Sequence, residues 1–164
     1  PDRLLATIKF LEGATILDVQ PNTLTVAVDR GGPVKVSFFG VPKLGRVEAA
    51  ERCADTGLAI ARLLDLGGTK ASVVQVRGEV KDYVDLDALL GAGVGLAEML
   101  AAGTALYGWT FSPQAALKAM VYFDDPNLAA LSGDLKGRLQ QQVRALDLSR
   151  LPRLDPIRPS GGGA

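Results

Sequence analysis

Apolar residues recur along the chain with two periods, and the change of period divides it. Leu4, Leu5, Ile8 and Leu11 fall at helical spacing within PDRLLATIKFLEG, with Asp2 placed to cap the start and Gly13 to end the run. Three runs then alternate with the two-residue period of a strand: ATILDVQ, TLTVAVD and PVKVSFF. Pro21-Asn22 and Asp29-Arg30-Gly31-Gly32-Pro33 separate them, so the three runs predict a small antiparallel meander. In the third run Val34, Val36 and Phe38 point to one face and Lys35, Ser37 and Phe39 to the other, which makes one face core and the other partly polar.

Beyond a Gly/Pro-containing loop the period becomes mostly helical. The charged segment 47–54 favours helix, and LAIARLL is the short apolar run that fits a further strand. Helices are predicted over 67–76, 82–90, 95–107, 113–122, 127–131 and 135–146. Leu96, Met99, Leu100, Gly103 and Leu106 make one stripe, and Leu135, Leu139, Val143 and Leu146 make another. Ser112 before Pro113 is a good N-cap and first-turn pair. LPRLDPIRPSGGGA, rich in Pro and Gly, predicts an extended or disordered tail. The fold class is therefore α+β, a small antiparallel sheet followed by a mostly helical C-terminal half. The chain is read as a sheet region over 1–61, a helical region over 62–150 and a flexible tail over 151–164.

Composition narrows the chemistry. At 164 residues the chain is one domain by length, large enough to remove roughly 70% of its unfolded surface from water. Eighteen Lys and Arg balance eighteen Asp and Glu, so no global field recruits nucleic acid or an anionic membrane. Cys53 is the single cysteine, no run approaches a membrane span, and a reducing cytoplasm is the expected compartment. With no histidine, Ser-His-Asp and Cys-His catalysis and nearly all zinc sites are excluded. Carboxylate, lysine, arginine and backbone chemistry remain.

Two segments carry that chemistry. In DLGGTK, Gly67 and Gly68 precede Lys70 at an expected helix start, where free N–H groups favour an anion. The GxxxxGK[ST] order of a Walker A loop is absent, and Asp65 as an N-cap with a mobile lysine behind it accounts for the same residues. The second segment, VRGEVKDYVDLDALL, packs five charges between Arg77 and Asp85. Lys70 and Arg77 are two helical turns apart, and Asp82 and Asp85, three apart at the start of the next helix, share a face. A capping arrangement fits too: Asp82 as cap, Asp85 at the positive helix end, Lys81 and Arg77 as surface counterions.

Lys70-x6-Arg77-x3-Lys81-Asp82-x2-Asp85-Leu86 resembles the C-terminal motif of the AbiEii/AbiGii-type nucleotidyltransferase toxins, a helix lysine followed by R-x3-[RK]-D-x-x-D-L. VKVSFF, the segment from ADTGLAIARLL to Leu90, and the later YFDDP extend the similarity over most of 1–150. The resemblance implies transfer of a nucleotidyl group from a nucleoside triphosphate to an RNA or protein acceptor, within a bacterial toxin–antitoxin system of the abortive-infection kind. It implies Lys70 at the triphosphate, Asp82 or Asp85 orienting or deprotonating the attacking hydroxyl, and Arg77 and Lys81 orienting those carboxylates or touching phosphate.

The family's upstream Gly-Gly or Gly-Ser pair and D-x-D-like motif, which hold Mg²⁺ and the nucleotide, have no counterpart here. Region 1–61 accordingly reads as an incomplete nucleotidyltransferase-like sheet, and the chain as a truncated, inactive portion. Mg²⁺ is expected only for a version with the acidic motif. A cognate antitoxin is the implied protein partner, no membrane partner is expected, and an exposed sheet edge favours self-association. The reading from another class is a catalytically silent module that docks an antitoxin or another protein.

Overall fold

The computed structural model describes residues 1–41 and 44–158, and the chain divides into two compact units, Pro1–Lys43 and Leu44–Ala164. The α+β architecture is as expected: a three-stranded antiparallel sheet precedes a mostly helical half.

In the first unit a short helix α1 (Asp2–Thr7) and a 3-10 turn (Lys9–Leu11) lead into β1 (Thr15–Gln20), β2 (Thr23–Asp29) and β3 (Pro33–Phe39). The sheet order is β1-β2-β3, with Val26 opposite Val36 and Leu24 opposite Phe38. Leu24, Val26 and Val28 of the central strand are buried with Leu11, and Leu4, Leu5, Ile8, Val36 and Phe38 close over them. Thr25, on the opposite face, lies 3.1 Å from Ser37 through their hydroxyls. At the second turn Gly31 and Gly32 have φ of 81° and 153°, which disfavour a side chain, and both donate N–H to Asp29 Oδ1 at 3.0 Å. The ladder slips between Ile16 and Asp18, and Ile16, Leu17 and Val19 of edge strand β1 are exposed.

The second unit begins with a two-stranded hairpin, β4 (Glu51–Arg52) and β5 (Ala59–Ile60). Segment 47–54 is therefore not helical, and LAIARLL is strand only over Ala59–Ile60. The physical reason is tertiary. Asp65, buried in the first turn of α2 (Leu63–Val76), accepts the N–H of Val47 at 2.6 Å and of Glu48 at 3.3 Å, while Arg62 pairs with Glu51 at 2.7 Å. These bonds tie the segment to the helical unit, so the division falls after residue 43 and not at 61.

Helices α3 (Val80–Gly91), α4 (Leu96–Tyr107), α5 (Pro113–Val121) and α6 (Gly133–Ala145) complete the unit, and the stretch expected as a helix over 127–131 is a 3-10 turn, Pro126–Leu128. Their core joins Val74, Tyr83, Leu86, Met99, Leu100, Phe111, Met120, Leu128 and Leu139, among others. Ser112 caps α5 as expected, its hydroxyl accepting the N–H of Ala115. No helix among the described residues is long and apolar enough to cross a membrane.

Gly67 and Gly68 are not a loop. Both are buried inside α2, where a Cβ on Gly68 would meet Ala102 and the Gly103 backbone nitrogen of α4 at 2.8 Å. They let two helices approach closely, and no anion-binding turn forms there.

The tail expected over 151–164 is, through residue 158, extended and held. Leu151 packs against the helical core, and Arg46 and Ile157 exchange backbone hydrogen bonds of 3.0 and 2.6 Å. Pro152 and Pro156 favour the extended path. Residues 159–164 of that expectation lie outside the described residues.

A bidentate ion pair joins α3 to α6: Arg138 donates to Asp87 at 2.8 and 2.6 Å. The Arg138 hydrogen bonds hold the Asp87 pKa below the ordinary carboxylate value against a smaller opposing effect of burial. A depressed folded-state pKa contributes stability above the unfolded value of about 4 and loses it as pH falls through the folded value. Urea unfolding should therefore show Asp87→Asn less stable than the parent at pH 6, with the gap closing at pH 3. A gap that persists at pH 3 assigns the effect to packing.

Candidate functional site

The five charged residues singled out by the motif lie midway along α2, in the turn after it and on the first two turns of α3. Helix α2 carries Lys70 and ends at Val76, where Arg77 adopts an extended backbone (φ −146°, ψ 147°). Gly78 then passes close to the YFDDP turn, since a Cβ there would meet Asp125 Oδ2 at 3.0 Å. Glu79 is the N-cap residue of α3, so Asp82 is a first-turn residue and not the cap.

This turn brings the charges together. Lys70 Nζ donates to Asp82 Oδ1 at 3.0 Å and also meets Asp85 Oδ2. Arg77 Nε donates to Asp82 Oδ2 at 3.1 Å, and another guanidinium nitrogen reaches Glu79 at 3.0 Å. Lys81 pairs with the other oxygen of Glu79 at 2.7 Å. The chain of contacts runs Asp85, Lys70, Asp82, Arg77, Glu79, Lys81, alternating in sign throughout.

Exposure separates the two aspartates. The Asp82 side chain is 0% exposed with each oxygen bound to a cation, whereas Asp85 is 49% exposed and Lys70 25%. A carboxylate removed from water is tolerable only when paired, so Asp82 depends on Lys70 and Arg77. Burial disfavours the Lys70 ammonium, but the hydrogen bonds and charges of Asp85 and Asp82 outweigh it and raise its pKa above the ordinary lysine value. Next to Asp82, Tyr83 donates its hydroxyl to the Ala119 carbonyl at 2.8 Å; burial raises its pKa, and the charges of Asp125 and Asp82 add to the shift. That bond fixes the first turn of α3 against α5.

The convergence of Lys70, Arg77, Asp82 and Asp85 matches the motif spacing, but Asp82 is shielded and only Asp85 offers a carboxylate to solvent. Lys81 joins only through Glu79. Glu79, one of the five charges between Arg77 and Asp85 but outside the motif, is the link between Arg77 and Lys81, and the alternation of Arg77, Glu79 and Lys81 at two-residue steps is the sequence signal for it. A cleft of about 630 Å³ lies elsewhere in this unit, lined by Glu48, Glu51, Ile60, Arg62, Val94 and Glu98, and none of the cluster residues lines it.

The Mg²⁺ implied by the resemblance does not fit these donors. Both Asp82 oxygens are committed to cations and Asp85 shares the Lys70 ammonium, so a divalent ion would have to displace a bound positive charge. Compared with known protein families, curated proteins and solved structures, the chain shows no significant match.

Proposed function

We propose that this cluster is the acid–base and phosphate-contacting part of a nucleotidyl-transfer site in a cytoplasmic toxin-type protein that passes a nucleotidyl group from a nucleoside triphosphate to an RNA or protein acceptor, a site whose Mg²⁺- and nucleotide-holding acidic motif these residues do not themselves supply. The observation that carries this reading is the Lys70 ammonium shared between a buried and a half-exposed aspartate at the motif spacing.

The residues divide the work. Asp82 and Arg77 act as positioning residues: Arg77 holds Asp82, Asp82 holds Lys70, and a lysine ammonium with two carboxylate partners keeps a third donor for phosphate. Lys70 contacts a phosphate oxygen of the nucleotide. Asp85 takes the proton of the acceptor hydroxyl as its oxygen bonds to the α-phosphorus, and the α–β bridging bond breaks to release pyrophosphate. Lys81, the most exposed cation of the cluster, adds a second phosphate contact. No step is routed through a metal at these residues.

Calorimetric titration of each of the four nucleoside triphosphates, with and without Mg²⁺, tests the reading. Saturable binding of at least one is expected, weakened by about 10-fold or more in Lys81→Gln, since a hydrogen bond to a charged group contributes about 1.5–3 kcal/mol. Lys81 is 65% exposed and its replacement spares the fold. Absence of binding by all four, or binding by Lys81→Gln equal to that of the parent, counts against it.

A further inference from the structure

The last described stretch carries an arginine surface that the charge cluster does not use. We propose that Arg144, Arg150, Arg153 and Arg158, together with Arg46, form a strip that grips the phosphodiester backbone of nucleic acid. This surface stands independently of the transfer reading.

Charge is segregated in an otherwise neutral chain. Residues 133–158 hold six bases and three acids, whereas the whole sequence holds eighteen of each. Five of those six bases are arginine, whose planar fork suits phosphate bidentately and carries its charge at every accessible pH.

Local packing directs them outward. Val143, Leu146, Leu148 and Leu151 are partly buried against the helical core, while Arg144, Arg150, Arg153 and Arg158 are exposed. The extended path after Arg150 then delivers Ile157 to Arg46 through paired backbone bonds, which places exposed Arg46 beside Arg158 at the end of the strip. Among the described residues none of the five has a salt-bridge partner; the ion pairs of this unit use Arg62, Lys70, Arg77, Lys81 and Arg138 instead. An arginine line in which exposed Asp147 and Asp155 are interspersed but form no ion pair with it, held by apolar anchors and a backbone bridge, offers its guanidinium groups to a repeating anion. Phosphodiester supplies one charge per nucleotide, so the line is read by charge and not by base.

Fluorescence anisotropy with a labelled RNA of about 20 nucleotides, without nucleotide triphosphate, tests this across roughly 50–200 mM salt. The parent chain is expected to bind with a log–log salt slope of about −2 to −4, each neutralised phosphate contributing about −0.7 on a single strand. Replacing Arg150, Arg153 and Arg158 together with glutamine should weaken binding at low salt by about 10-fold or more and flatten the slope by about 2. The triple lysine variant should keep most of the affinity and the slope. Lys9→Gln, in the other unit, should change neither. No RNA binding at low salt, unchanged binding by the triple glutamine variant with its fold intact by circular dichroism, or equal affinity for polyglutamate or phosphatidylglycerol vesicles would each overturn the proposal.

Discussion

Replacing Lys70 with methionine is expected to lower the free energy of unfolding by about 3–5 kcal/mol, the range for stripping one partner from a buried charge pair. Methionine fills similar space, so the loss is electrostatic. Asp82 is wholly buried, and without Lys70 its Oδ1 loses its only cation among the described residues while Arg77 holds the other oxygen. Asp85→Asn, by contrast, removes a half-exposed contact and costs about 0.5 kcal/mol or less. Chemical denaturation of the two variants measures the difference. Equal losses mean that Asp82 is not the dependent member of the network. The raised pKa of Lys70 adds a sign: its stabilisation is complete below the unfolded value of about 10.4 and fades as pH rises through the higher folded value.

Gly68→Ala is expected to destabilise by about 1–3 kcal/mol, the usual cost of overpacking, although alanine is the better helix former by about 1 kcal/mol. The new methyl group would lie 2.8 Å from the Ala102 carbonyl carbon and from the Gly103 nitrogen, which are backbone atoms and cannot rotate away. At Gly67 the obstacle is the flexible end of Met99, so Gly67→Ala should cost less. A thermal shift that ranks Gly67→Ala as the worse substitution contradicts the α2–α4 contact described here.

These glycines also show where the sequence was legible and where it was not. The sheet was legible because alternation in TLTVAVD and PVKVSFF agrees with the turn chemistry of Asp29 to Pro33. Helices α3 to α6 were legible because their stripes and the Ser112-Pro113 start are local signals. DLGGTK misled because Gly-Gly is ordinarily a loop signal, and only the facing Ala102 and Gly103, thirty-odd residues away, make it a helix interior. Segment 47–54 misled for the same reason, since Asp65 and Arg62 capture its backbone and side chains from α2. For the cluster, helical spacing put Asp82 and Asp85 on one face of α3, but Arg77 lies beyond the end of α2 in extended backbone, so its two-turn spacing from Lys70 is not what brings it to Asp82. Burial of Asp82 was not readable, because it depends on how α3 packs against α2 and α5.

The central claim is that Lys70 meets a nucleotide phosphate on the open side of the Asp82 and Asp85 pair. Side-chain NMR of a lysine-labelled chain, titrated with a nucleoside triphosphate, tests it most directly. The account predicts a saturable shift of the Lys70 Nζ and Cε signals, accompanied by Lys81, with Lys9, Lys35 and Lys118 unmoved. A Lys70 signal that stays in place to millimolar nucleotide, with its pKa still raised by the two aspartates, would show that the network serves stability alone and would contradict the account.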